Sequence, residues 1–194
     1  MTGQFMMSLT ASFVIGLIAA FPYVVWEFWS FIRPGLETKE RKFSKGAVFA
    51  ISFLFLLGVL FGYYFLVPMT VWFLATYSIS DMIVNEFDIT SYVSTVVLLV
   101  LGSGLLFQLP VVIFFLSKIG IVTPQFLRKY RKHSVVVILI IAAIVTPPDP
   151  LSQIMITIPL YILFEISVII SAIVARQKAK DEAEELLREQ SSAS

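Results

Sequence analysis

Few side chains in this 194-residue sequence carry chemistry, and the ones that stand out are acids and one amide. Glu165 is the only charge in the apolar run Leu151–Ala175, and Gln108 lies inside the charge-free run Ile89–Ser117. Glu37 and Glu40 instead share a loop with Arg33, Lys39, Arg41, Lys42 and Lys45. A carboxylate at Glu40 has two readings. In the first turn of the next helix it is favourable by up to about 1 kcal/mol. Exposed near a membrane surface, it offers an incoming guanidinium a geometrically selective, bidentate partner. Catalytic constellations are absent. There is no cysteine, a single histidine (His133, beside Lys132), no His/Glu metal spacing, no P-loop, no GxSxG and no pair of intramembrane aspartates. The expectation is a protein that is not an enzyme and needs no metal or cofactor.

The elements that hold these residues follow from solvent. Hydrophobic residues make up 58% of the chain and the mean hydropathy is +0.91, well above the apolar share of a water-soluble domain. A spanning helix needs about 20 residues to cross about 30 Å of hydrocarbon. The apolar runs predict an all-α integral membrane protein with five membrane helices, over approximately 5–31, 47–67, 89–117, 133–145 and 151–174, followed by a polar tail, 175–194. The fourth run covers only about 20 Å at 1.5 Å per residue, so it crosses by thinning the bilayer or forms a re-entrant hairpin with the fifth. Pro22, Pro68, Pro110 and Pro159 lie within or at the edge of runs and predict kinked helices in a curved, open bundle. Counted from Arg176, Glu165 lies roughly 16 Å inside the membrane, and counted from Lys118, Gln108 lies roughly 15 Å inside. A glutamate at that depth is neutral, paired or facing a wet cavity. Two polar groups at one level point to a shared polar layer, although glutamine is more often glue between helices.

Charge sets the orientation. All 14 basic residues fall between the first and second runs, between the third and fourth, or after the fifth. Segments 1–4, 68–88 and 146–150 hold none, but do hold Asp81, Glu86, Asp88 and Asp149. The positive-inside rule therefore places the basic loops and the C-terminus in the cytoplasm and the N-terminus of this chain outside. Pro147, Pro148 and Asp149 form a tight external turn between the last two helices. No signal peptide is visible, so the first run inserts N-out unaided or an upstream helix is missing. The net charge of +1 gives no argument for nucleic acid.

Three stretches resemble one family. "FPYVVWEFWSFIRPGLETKERK" (21–42), "LPVVIFFLSKIGIVTPQFLRKYRK" (109–132) and "TPPDPLSQ" (146–153) followed by "PLYILFEI" (159–166) are similar, in order and spacing, to TatC, the multi-spanning receptor subunit of the twin-arginine protein translocase. The resemblance implies six membrane helices with a cytoplasmic N-terminus, so the first helix and an acidic cytoplasmic segment would be missing from this chain. It implies signal-peptide binding at Glu40, with Glu37 as a weaker neighbour, and structural turns at Pro34 and at Pro147, Pro148 and Asp149. It implies export of folded proteins driven by the proton gradient, with twin-arginine signal peptides, small single-span subunits and the lipid bilayer as partners. It further implies homo- and hetero-oligomers in the bacterial cytoplasmic (inner) membrane, and no nucleic acid. Gln108 stands where the family often has a buried glutamate. The alternative functional reading is a proton-coupled small-solute transporter using Glu165; a third is a structural membrane subunit.

The topology is testable. A cysteine at Ser80 or Ser152 is expected to react with an impermeant thiol reagent from outside, and one at Ser44 or Ser192 only after permeabilisation. External labelling at Ser44 would reverse the orientation.

Overall fold

The computed structural model describes residues 2–32, 44–77, 88–146 and 150–192. Hydrocarbon offers no partner for a backbone N–H or C=O, so each membrane segment closes its own hydrogen bonds by being helical. No strand occurs among the described residues. The elements are α1 (Thr2–Ile32), α2 (Ser44–Phe61), a π-helical turn (Gly62–Leu66) leading into α3 (Val67–Thr76), α4 (Ile89–Leu106), α5 (Leu109–Ile119), the short α6 (Pro124–Lys129), α7 (Arg131–Val145) and α8 (Pro150–Ser192). Among the described residues, four stretches are long and apolar enough to cross a membrane: Gly3–Phe31, Val48–Thr76, Ile89–Ile119 and Pro150–Lys180. The remaining membrane helix, α7, has 15 residues. At about 22 Å it is shorter than the hydrocarbon layer, and it packs as a hairpin against α8.

Prolines shape the long rods. The second apolar run reads as ending at Val67, just before Pro68, yet the helix continues to Thr76. Pro68 has no N–H and its ring crowds the preceding turn. The ladder adapts by widening: Val67 N–H reaches back five residues to Gly62 O, and the π turn carries the chain past the proline. Pro110 acts differently. It separates α4 from α5 at Phe107 (φ −68°, ψ −7°) and Gln108 (φ −78°, ψ −5°). Gln108 N–H there bonds three residues back, to Leu105 O at 3.0 Å. Pro22 and Pro159 lie inside α1 and α8. Ends are capped from the sequence. Asp88 Oδ2 accepts from Thr90 N–H (3.1 Å) and Ser91 N–H (3.3 Å) at the start of α4. Gly120 ends α5 with φ +91°.

α8 lies along α5 and α7, α2 lies along α4, and α1 rests against α2 and α4. The core is centred on Leu66, Leu99, Ile156 and Leu160, all fully buried. Phe21 of α1 stacks on Phe55 of α2 with ring centroids 3.5 Å apart. Between apolar helices in lipid, association comes from close packing and interhelical hydrogen bonds, and three hydroxyl contacts supply these. Thr70 Oγ1 and Ser152 Oγ are 2.6 Å apart, and Ser117 Oγ donates to Ser171 Oγ at 2.8 Å. Ser103 Oγ donates to Gly58 O at 2.8 Å. Ser152, which the sequence offers as an external probe position, is buried in the first of these contacts. Its accessibility is set by α3 and not by topology alone, so Ser80 is the external probe to use.

Gly58 makes the α2–α4 approach possible. A Cβ there would come within 2.7 Å of Ser103 O and 2.9 Å of Gly104 Cα, both backbone atoms. Gly16 on α1 has nothing within 4 Å of the same position. Gly58→Ala is expected to destabilise the bundle by about 1–3 kcal/mol through overpacking. Gly16→Ala is expected to be neutral or slightly stabilising. Thermal unfolding in detergent compares the two, and an unchanged midpoint for Gly58→Ala would show that α2 and α4 are not in this register.

Candidate functional site

Apart from the hydroxyl contacts, Glu165 and Gln108 lie at two separate places in the bundle. The first is the α7–α8 hairpin. Arg131 and Glu165 lie 17 residues either side of position 148 in the sequence. An antiparallel hairpin turning there brings them level. Arg131 Nη2 donates to Glu165 Oε2 at 2.8 Å, and Tyr161 OH, one turn before Glu165, donates to Oε1 at 3.1 Å. Both carboxylate oxygens are therefore engaged. Gln153 Nε2 donates to Leu139 O at 3.2 Å nearer the turn. Thr146, extended at φ −94° and ψ 151°, ends α7.

The short α7 is what makes the pair. Arg131 belongs by sequence to the basic cytoplasmic connection, but α7 is too short to keep it level with Arg176. Its first residue instead stands beside Glu165, 11 positions inside on α8. Of the three options for a glutamate at this depth, the geometry selects pairing. The pair is not sealed in the core: the Arg131 and Glu165 side chains keep 47% and 30% of their surface exposed.

The second place is the α4–α5 break. Pro110 interrupts the helix at Gln108, and the Gln108 amide turns to α2, where Nε2 donates to Ile51 O at 3.1 Å. That orientation of the amide is the one that makes a bond. Oε1 is buried and has no partner among the described residues. Gln108 thus acts as glue between α2 and the α4–α5 break. It makes no hydrogen bond to Glu165, whose partners are Arg131 and Tyr161.

Glu37, Glu40, Pro34, Pro147, Pro148 and Asp149 lie outside the described residues. Sequence reasoning missed Arg131 as the partner of Glu165. Its equal spacing from the Pro-Pro turn was the available signal. It also missed the buried hydroxyl pairs, for which a serine in an apolar helix carries no mark of its partner.

The ion pair predicts a coupling. Glu165→Gln in the parent is expected to cost more stability than Glu165→Gln in an Arg131→Gln background. The difference should be about 0.5–1 kcal/mol, since both partners are part-exposed. A double-mutant cycle on thermal unfolding measures it, and zero coupling would mean that the two groups do not pair.

Comparison with known proteins gives a consistent result. A family profile described as "Sec-independent protein translocase protein (TatC)" matches residues 1–159. The Sec-independent protein translocase protein TatC of Blattabacterium sp. subsp. Periplaneta americana is 43% identical over 176 residues, covering 91% of this chain and 66% of that protein. TatCy of Bacillus subtilis is 42% identical over 173 residues, covering 89% of this chain and 68% of its own length. The chain thus spans about two thirds of the length of these relatives. A crystal structure of the twin-arginine translocase receptor TatC superposes with a TM-score of 0.71 at 31% identity, over 88% of this chain and 75% of that one.

Proposed function

This chain belongs to the TatC family of Sec-independent protein translocase proteins, and from that membership we propose that it is the receptor and core scaffold of a twin-arginine translocase. It sits as a multi-pass protein in the bacterial cytoplasmic membrane, with its basic loops and C-terminus in the cytoplasm and the N-terminus of this chain outside. It binds the signal peptides of folded substrate proteins and passes those proteins on using the proton gradient, together with small single-span subunits and other copies of itself. The observation that carries the reading is the family match over residues 1–159, joined to a shared fold with a solved translocase receptor.

Specific residues take specific parts. Glu40, with Glu37 beside it, recognises the signal peptide, because a carboxylate among cations at the membrane surface selects a planar guanidinium over an ammonium. Gln108 and Glu165 are the polar groups that seat polar residues of partner helices or a polar passenger. Gln108 brings a buried acceptor with no partner among the described residues, and Glu165 an exposed edge of a charged pair. Pro34 and the Pro147, Pro148 and Asp149 turn set the ends of the helices that carry these groups. Arg131 at 2.8 Å and Tyr161 at 3.1 Å already engage both oxygens of Glu165, which favours a seat for polar partners over a solute site there.

Glu40→Gln tests the receptor role. It keeps size and an acceptor oxygen and removes only the anion. Hydrogen bonds to charged groups contribute about 1.5–3 kcal/mol, so photo-crosslinking to a twin-arginine signal peptide is expected to weaken at least about tenfold. Membrane insertion and yield should stay unchanged. Equal crosslinking by parent and variant would remove Glu40 from the binding site.

A further inference from the structure

Residues 118–133 hold Lys118, Arg128, Lys129, Arg131, Lys132 and His133 and no acid. The flanking acids in sequence are as far off as Asp88 and Asp149. Arg131 is engaged by Glu165. Arg128, Lys129 and Lys132 are exposed, and no described acid pairs with them. Tyr130 N–H bonds to Phe126 O at 3.1 Å, closing α6, and Ser134 N–H bonds to Tyr130 O at 2.9 Å, opening α7, so Tyr130 (φ −98°, ψ 14°) is the corner between the two helices. Arg128 and Lys129 end α6 and Lys132 lies in the first turn of α7, so the three cations flank this corner within five positions of sequence. A line of rings runs beside them. Phe126 and Tyr130 are 4.6 Å apart, Tyr130 and His133 are 5.4 Å apart, and Lys129 Nζ stands 5.9 Å from the Tyr130 ring centre. α8 adds Lys178, whose Nζ lies 3.6 Å from where a Cβ on Gly120 would be.

The same elbow exposes apolar surface at Ile119 (71%) and Ile121 (67%). The segment joins two membrane helices, and the short α7 draws it in beside Glu165; a helix shorter than the hydrocarbon layer thins the bilayer around it and brings lipid headgroups to that level. There, cations meet lipid phosphate and isoleucines meet the upper acyl chains. An acidic protein segment would use the cations but has no use for the isoleucines. A twin-arginine peptide would be repelled. We infer that the α5–α6–α7 elbow is a binding site for an anionic phospholipid, whose phosphate is held by Arg128, Lys129 and Lys132 and whose acyl chains lie over Ile119 and Ile121. The site is independent of the signal-peptide reading, which uses acids elsewhere in the chain.

Native mass spectrometry of the detergent-purified protein, mixed with equal phosphatidylglycerol and phosphatidylcholine, reads the site. Each juxtamembrane cation contributes about 1 kcal/mol, or about fivefold in affinity, toward an anionic surface. The R128Q/K129Q/K132Q variant is therefore expected to retain phosphatidylglycerol at least about tenfold more weakly than the parent. An R176Q/K180Q/R188Q variant removes equal charge from α8, where only Arg176 stands at the membrane edge, and is expected to lose no more than about fivefold. Equal losses in the two variants would reduce the effect to bulk charge, and no loss in the first would remove the site; either overturns the inference. Displacement of the lipid by inorganic phosphate at equal concentration would make it a free-phosphate site. Displacement by a polyglutamate peptide would make it a protein-docking surface; both outcomes also overturn it. If circular dichroism shows the triple variant unfolded, Lys129→Gln and Lys132→Gln are read singly. Each is expected to lose about fivefold, and no loss in either counts against the site.

Discussion

A backbone N–H or C=O left open in hydrocarbon costs several kcal/mol, and the rest of this structure follows from avoiding that cost. It makes every membrane segment helical. It also gives each proline in the apolar runs structural weight, because each removes a donor where no water replaces it. Pro68 and Pro110 illustrate two answers. At Pro68 the helix stays one rod and the ladder shifts to a five-residue spacing through Gly62–Leu66. At Pro110 the rod divides, and the break at Phe107–Gln108 frees a side-chain amide to bond α2. The candidate polar group at Gln108 is thus a by-product of how the chain copes with a missing donor.

The same constraint explains the hydroxyl contacts. Apolar helices in lipid gain little from hiding apolar surface, since the acyl chains are equally apolar. Register is then fixed by small residues and short hydrogen bonds. Gly58 and Ser103 tie α2 to α4, Ser117 and Ser171 tie α5 to α8, and Thr70 and Ser152 tie α3 to α8. The outer helix α1 relies instead on ring contacts, Phe21 with Phe55 and Trp29 with Phe115. It is the least embedded of the long helices.

Much of the architecture was legible from residue order. Segregated charge and unbroken apolar runs gave the membrane class, and the stretches at 21–42, 109–132 and 146–166 gave the family. What escaped depends on which faces meet. Hydropathy marks Pro68 as an end because it does not register a π turn. It assigns Arg131 to a loop because the shortness of the fourth run is visible in its length while the end at which it falls short is not, and α7 delivers that arginine to Glu165. Glu165 itself was legible as an anomaly, since an acid in an apolar run demands an account. Its partner was not, because a cation at a run's edge looks like any other cytoplasmic charge. Glu37 and Glu40 lie outside the described residues, so their part rests on the resemblance.

The length of α8 has a mechanical meaning. Its 43 residues make a rod of about 64 Å, held near its middle by Ser171 against α5 and by Glu165 against α7. Ser152 fastens the same rod to α3 near its start, so α8 is pinned at both ends of the stretch from Ser152 to Ser171. The roughly 32 Å from Ser171 to Ser192 is a cantilever, and a load on its tip is borne at its root, by the Ser117–Ser171 contact.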